Sequence, residues 1–384
     1  VFVTELALID FRNYTEASLT LSSGVTVFVG SNGQGKTNLV EAIEYLSTMS
    51  SHRVAATAPL IRAGAETAVV RAKVQAGRED PRVISLELEI ANGRSNVARL
   101  NRAPLGRPRE LIGALRTVVF SPLDLAIVRD DPSDRRAWLD SLVVTRWPRM
   151  AGVRQDLDKV LKQRNALLKA MAGRSFVPSG GDEAVTLEVW NGQFATLGAE
   201  LLHARLDTLA DVVPHAQRAY ETIAPLNNQI SASYKTALDL DGVAGGADVR
   251  AALRGRLLEA LERVRRDEVS RGVTLVGPQR DDVELAIGPL PAKGYASHGE
   301  SWSLALALRL GGFTLVRDDG VEPVLVLDDV FAELDVSRRE RLAAAIADAE
   351  QVLITAAVGA DVPDFPAENR FRVDAGTVTP ALPS

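Results

Sequence analysis

Apolar residues fall into two rhythms along this 384-residue chain. Short unbroken apolar runs stand near both ends: VTVFV from Val25 to Val29, VLVL from Val324 to Leu327, and QVLIT at 351–355. Runs of that length without polar alternation predict parallel strands buried on both faces. Leu39, Val40, Ile43 and Leu46 follow the first run at helical spacing. The middle of the chain reads differently. Over 154–172, Leu157, Val160, Leu161, Leu167 and Leu168 lie near one face of a helix, and 183–212 and 248–269 read as helices with mixed charged faces. A loop is expected at 176–183 and a strand with loop at 223–246. Sustained heptads are absent, so the insertion predicts a compact helical lobe instead of a long coiled-coil arm.

Between the first strand and its helix lies Gly30-Ser31-Asn32-Gly33-Gln34-Gly35-Lys36-Thr37, a full match to G-x-x-x-x-G-K-[ST], followed by Asn38. Strand, glycine loop and helix in that order form a phosphate-binding loop. The glycines let backbone N–H groups converge on phosphate, aided by the helix dipole. Lys36 is placed to reach the β- and γ-oxygens of ATP, and the Thr37 hydroxyl to ligate Mg²⁺. The VLVL strand ends in Asp328-Asp329, carboxylates at the edge where open α/β sheets bind ligands. Asp328 is the Walker-B residue by position, holding Mg²⁺ opposite Thr37, and Asp329 would face the attacking water. About 290 residues separate the two motifs. An ATPase head assembled from both chain ends follows, with catalytic candidates Lys36, Asp328 and Asp329.

Composition narrows the classes. With no cysteine, thiol catalysis and cysteine-ligated zinc are excluded, and the four histidines show no metal-ligand spacing. No stretch of about 18 uncharged apolar residues appears, and no basic segment precedes an apolar core at the N-terminus. No membrane association and a cytoplasmic location are expected. A net charge of −6 argues against bulk coating of nucleic acid but leaves room for a local patch. The stretch 93–116 supplies Arg94, Arg99, Arg102, Arg107 and Arg109 against one acid within it, Glu110. It reads as a phosphate footprint for duplex DNA or as a solubilising hairpin. Arg12 and Arg53 are candidates to reach a phosphate or the base, or else to pair with a carboxylate. SHGE at 297–300, ahead of an apolar run, looks like a helix cap or anion site.

SHGE also stands where the ATP-binding-cassette ATPases carry their signature, and Glu333-Leu334-Asp335 matches the D-loop after Walker B. Together with IDFRNYTEASLTL, GSNGQGKTNLVEAI, FSPLDLAIVRDDPSDRRAWLD, GPQRDD and LDDVFAELD, these resemble the RecF family of bacterial recombination-mediator ATPases. The resemblance implies an α/β fold: a cassette-type head with a mixed, largely parallel sheet, from 1–122 and 272–384. A mainly helical lobe, 123–271, is inserted. It implies binding of ATP and Mg²⁺, an ATP-dependent head-to-head homodimer, and slow, DNA-stimulated ATP hydrolysis. It further implies binding to double-stranded DNA and single/double-strand junctions at the nucleoid, with RecR as partner and RecO and RecA engaged indirectly. Ser297, Gly299 and Glu300 carry over as the signature that caps the γ-phosphate of the opposite subunit. His298 fills its variable position, and Asp335 is the aspartate at the dimer seam. Three features depart from the wider class: Asp329 where glutamate is usual, Thr355 where transporters carry histidine, and no Q-loop glutamine. A transporter subunit would need the last two. An SMC-type tether would need the missing heptads.

Overall fold

The computed structural model describes residues 1–172, 182–224, 229–243, 248–363, 365 and 369–381. Most of the expected loop at 176–183 and parts of 223–246 lie outside them. The chain forms two units. The first comprises Val1–Val128, Pro214–Ile230 and Ala296–Ser384, and the second Arg129–Val213 and Ser231–Tyr295.

The N-terminal stretch contains β1 (Phe2–Phe11), β2 (Tyr14–Thr20), β3 (Gly24–Val29), α1 (Lys36–Thr48), β4 (Thr67–Gln75), β5 (Val83–Ala91), β6 (Val97–Leu100), β7 (Ala103–Pro104) and β8 (Thr117–Phe120). After a short α2 (Leu125–Arg129) come α3 (Pro132–Arg146), α4 (Met150–Met171), α5 (Asp182–Ile223), β9 (Ile230–Lys235), α6 (Val249–Arg271), β10 (Asp282–Ile287), β11 (Leu290–Pro291) and the kinked turn α7 (Ala292–Tyr295). The chain ends with α8 (His298–Asp318), β12 (Val324–Asp328), α9 (Val336–Ile346), β13 (Gln351–Ala356), β14 (Arg370–Asp374) and β15 (Thr377–Pro380).

Two sheets build the first unit. One runs β15-β14-β3-β13-β12-β8, parallel except for β15; the other runs β2-β1-β4-β5-β6-β7 and is antiparallel. The apolar runs behave as their pattern predicts: β12 and β13 are buried at every residue. β4 alternates instead, with Ala68, Val70, Ala72 and Val74 buried and Arg71 and Lys73 exposed, as expected for a sheet wetted on one face. α1 packs against strands of both sheets. Its Leu39, Val40, Ile43 and Leu46 are fully buried in the shared core with Leu6, Leu8, Val70, Leu88 and Val326. Each such side chain contributes about 1.5–3 kcal/mol of burial, so the helix that starts at the glycine loop is firmly seated.

From Ser301 to Val316, α8 is buried at every position but Arg309 and Thr314, which is the mark of an internal helix. Trp302 meets Phe120 edge to face with centroids 5.2 Å apart, and Arg309 binds Asp124 at 2.6 Å. At Gly311 a Cβ would come within 2.6 Å of the Ala216 backbone nitrogen, so this glycine lets two helix backbones touch. That approach places 214–230 with the first unit, whereas the sequence pattern assigns it to the insertion. The change falls at Pro214, inside α5, which lacks a backbone N–H. Conversely, 272–295, expected with the head, belongs to the second unit. There Arg135 clasps Asp282 at 2.7 Å, and Arg205 reaches the Pro278 carbonyl at 2.6 Å and Asp140 at 2.7 Å.

Candidate nucleotide site

β3 delivers the chain to Gly30, whose missing side chain is a steric requirement: a Cβ would lie 2.1 Å from the Val373 carbonyl oxygen of β14. Gly33 and Gly35 hold φ of 83° and 114°, a region that L side chains rarely adopt. Around Gly35, Asn13 and the Tyr14 hydroxyl approach within 2.8 Å of a built Cβ, and Tyr14 donates to the Gly35 carbonyl at 3.0 Å. The rim is tied from the C-terminal hairpin as well. Ala375 N–H donates to Gln34 Oε1 at 2.6 Å, and Gly376 N–H to the Gln34 carbonyl at 3.2 Å. That hairpin carries no motif, so its support of the loop was invisible in sequence.

Lys36 is buried, and its Nζ donates to the Ser31 carbonyl at 3.3 Å, which lays the ammonium along the loop. Thr37 Oγ1 donates to Asp328 Oδ1 at 2.8 Å, across 291 residues of sequence. The two motifs therefore meet. β13 lies between β3 and β12 and adds a third group: Thr355 Oγ1 donates to the same Asp328 oxygen at 2.5 Å. The Asp329 N–H donates back to Thr355 Oγ1 at 2.9 Å. Thr355 thus clamps the aspartate pair, a different task from that of the histidine transporters carry at this point. Asp329 has φ 52°, a left-handed conformation that aspartate tolerates better than most side chains. This is a backbone reason for Asp in place of Glu. Burial, then the neighbouring Asp328, raise its pKa, partly opposed by Lys36. Its Oδ1 is buried without a hydrogen-bond partner.

A histidine enters from a side the motifs did not indicate. His52, on the turn after α1, places Nδ1 2.6 Å from Glu44 Oε2 and Nε2 3.9 Å from Asp328 Oδ2. Burial disfavours its charge, but the Glu44 hydrogen bond and the charges of Glu44, Asp328 and Glu41 leave its pKa raised.

Arg12 and Arg53 both pair with a carboxylate, Glu41. Arg12 clasps the fully buried Glu41 at 2.5 and 2.8 Å and donates to the Pro59 carbonyl at 2.9 Å. Each of its three nitrogens makes one of these bonds, so Arg12 braces α1. Arg53 donates to Asn38 Oδ1 at 2.7 Å and Glu41 at 3.2 Å. Asn38 in turn donates to Asn13 Oδ1 at 2.7 Å. Burial works against the Glu41 charge, but Arg12, Ser51 and Arg53 outweigh it and lower its pKa.

The signature residues form a second cluster. Ser297 caps α8: its Oγ accepts from Glu300 N–H at 3.3 Å, and Ser297 N–H donates to Glu300 Oε2 at 2.9 Å, a complete capping box. Asp335 caps α9, accepting from Arg338 N–H at 2.9 Å. The Arg338 guanidinium lies 3.2 Å from where a Gly299 Cβ would stand, so the two caps adjoin. His298 is exposed, with Nε2 3.8 Å from Glu333.

The arginine stretch is less bare than its local sequence suggested. Arg99 pairs with Glu87 and Arg94 with Glu89, both acids lying on β5. Arg99 and Glu87 are direct cross-strand neighbours. The expectation of uncompensated arginines is corrected for these two. The acids lie outside 93–116 in sequence, and strand pairing brings them back. Arg102, in the β6–β7 turn with φ 68°, and Arg107 remain exposed, with no side-chain partner among the described residues. Arg109 is half-buried and engaged.

A glycine loop and a Walker-B aspartate joined across the one intervening strand of a parallel sheet, beside a capped signature helix in the same unit, define a cassette-type ATPase head. The profile described as RecF/RecN/SMC N terminal domain matches residues 2–362. A DNA replication and repair protein RecF of Cutibacterium acnes is 59% identical over 98% of both chains. Another, from Streptomyces avermitilis, is 54% identical over 98% of this chain and 99% of its own. A solved structure titled as the recombination mediator RecF with ATP in the RecFOR pathway superposes with TM-score 0.87 at 26% identity, covering 99% of this chain and 98% of that one. An Smc head domain from Pyrococcus furiosus shares the fold alone, at TM-score 0.52 and 15% identity over 98% of this chain and 95% of that one. The chain belongs to the RecF family.

Proposed function

We propose that the chain is an ATP-gated DNA-binding recombination mediator, acting in replication and repair and hydrolysing ATP slowly as a release switch. The observation that carries this reading is the Thr37–Asp328–Thr355 hydrogen-bonded cluster at the head of the glycine loop, with a second, separately capped cluster at Ser297–Glu300. The P-loop backbone and Lys36 bind the phosphates. Thr37 and Asp328 would hold Mg²⁺, which when bound would neutralise charge on the β- and γ-oxygens. The residues fit that ion. Thr37 spends its hydroxyl hydrogen on Asp328 and keeps its lone pairs, and the Asp328 carboxylate retains Oδ2. Among the described residues no group of three or more His, Asp or Glu side chains could hold a metal by itself. That suits Mg²⁺, which is commonly held by one or two carboxylates with substrate phosphates and water.

Asp329 orients the attacking water. The N-terminus of α8, with Ser297 and the Gly299 backbone, meets the γ-phosphate held by a second copy, so that ATP joins two heads. Asp335 and its neighbour Arg338 line that seam. RecR is the expected direct partner, with RecO and RecA engaged through it at duplex DNA and single/double-strand junctions.

Light scattering after size exclusion tests the core of the reading. The wild-type mass should double with ATP and Mg²⁺, and Lys36→Met should stay monomeric. A wild-type monomer at saturating ATP would overturn it.

The DNA surface is assigned to Arg102 and Arg107. Reversing both to Glu should weaken duplex binding and lower the dependence of log affinity on log salt by about 2, roughly 0.9 for each phosphate no longer neutralised. ATP binding should survive. Arg99→Glu should act mainly on its own strand pair with Glu87. If the double variant binds duplex with unchanged affinity and slope, the DNA surface lies elsewhere.

A further inference from the structure

We propose that His52, oriented by Glu44, is a positioning residue of the cation–nucleotide site, holding a water of the hydrated divalent ion against Asp328. The inference rests on the nucleotide reading above and adds a residue that none of the site's motifs contains.

Local sequence chemistry builds the placement. α1 ends at Met49 in a left-handed cap whose N–H donates to the Tyr45 carbonyl. Thr48 and Ser50 close the turn, Thr48 Oγ1 reaching the Glu44 and Ser50 carbonyls at 2.9 and 3.0 Å. Ser51 Oγ then donates to Glu41 at 2.5 Å and accepts from the Arg53 and Val54 N–H groups at 3.0 and 3.2 Å. The chain is thereby stitched back along α1, and His52 is brought to Glu44. Both its N–H, at 3.3 Å, and its Nδ1, at 2.6 Å, go to the same carboxylate oxygen. A carboxylate on one ring nitrogen orients the ring and presents the other nitrogen, the arrangement that supports metal sites from outside.

The presented nitrogen has nothing to bind. Nε2 is buried without a hydrogen-bond partner, although nearly all buried polar atoms have one. The nearest charge is Asp328 Oδ2, 3.9 Å away. That gap is too long for a hydrogen bond and short enough for one bridging water. Asp328 has the matching asymmetry: its Oδ1 takes both threonine hydroxyls, and Oδ2 faces His52. Direct ligation by the imidazole is disfavoured, because these groups do not assemble a three-residue metal cluster and Mg²⁺ sheds water reluctantly. A water of the hydrated ion would give Nε2 its missing partner while reaching Asp328 Oδ2.

Two substitutions separate the ring nitrogens. His52→Asn overlays an amide on the Nδ1 position, keeping the Glu44 bond and leaving nothing at Nε2. His52→Gln extends an amide towards the Nε2 position. With a fluorescent ATP analogue, the Mg²⁺ concentration giving half-maximal tight binding should rise about tenfold in His52→Asn, within the range seen for supporting residues of metal sites. Affinity measured in EDTA should be unchanged, and His52→Gln should recover most of the loss. In wild type labelled with ¹⁵N-histidine and loaded with Mn²⁺ and ATP, electron–nuclear double resonance should show a weak nitrogen coupling. Equal shifts with and without metal, no shift in His52→Asn, or no nitrogen coupling in wild type each overturn the proposal. Wild type that binds no ATP at all overturns the nucleotide reading instead.

Discussion

Asp329→Asn should lower ATP turnover by about 100-fold, the lower end of what a positioned proton acceptor contributes, while ATP binding persists. The substitution suits the backbone: Asn accepts the left-handed φ of 52° as readily as Asp, and the N–H bond to Thr355 stays available. What changes is the carboxylate itself. Its Oδ1 is buried and unpaired, and burial with the Asp328 charge raises its pKa, both consistent with a group poised to take a proton from water. Because the residues proposed to hold the phosphates and the metal are untouched, the proposed ATP-bound dimer should accumulate and be visible by size exclusion. Single-turnover hydrolysis with mass measurement checks this. Turnover within a few-fold of wild type would remove Asp329 from the chemistry, and loss of ATP binding would make it part of the ligand shell.

The largest stability effect is expected in the second unit, at Glu268→Ala. Arg164 and Glu268 are each 1% exposed and bond at 2.5 Å. Arg164 also donates to Asn191 at 2.8 Å and Thr274 at 2.7 Å, and Glu268 Oε1 accepts from Leu275 N–H at 2.8 Å. Removing the acid leaves a buried guanidinium without its counter-charge, which costs about 3–5 kcal/mol. Replacing both, as Arg164→Met with Glu268→Leu, should cost far less, because neither desolvated charge remains. Trp138, Trp147 and Trp190 belong to this unit and Trp302 to the other, so tryptophan fluorescence in a urea titration reports chiefly on it. A Glu268→Ala loss no greater than that of the double variant would show that the pair contributes little.

Features that depend on residues close together in sequence were readable without coordinates. The buried strands at 25–29, 324–327 and 351–355 show as apolar runs because a strand covered on both faces has no polar side to display. The glycine loop shows because its conformation needs glycine at fixed spacing, and SHGE shows because a capping box closes within one helical turn. The pairing of Arg94 and Arg99 was not readable for the complementary reason. Their acids lie in the partner strand, and no pattern within 93–116 records which strand that is.

The candidate site divides along the same line. Lys36, Thr37, Asp328 and Asp329 are announced by their own neighbours, since a phosphate loop and a carboxylate-ended strand are local structures. Their meeting is a matter of strand order, β13 standing between β3 and β12 and bringing Thr355 onto Asp328. The buttress of Arg12 and Arg53 on Glu41, the Gln34 tie to the C-terminal hairpin, and the approach of His52 to Asp328 depend on side chains converging from distant segments. Periodicity reports which face of an element is buried, not what lies across from it. Those contacts therefore came into view only once the chain had folded.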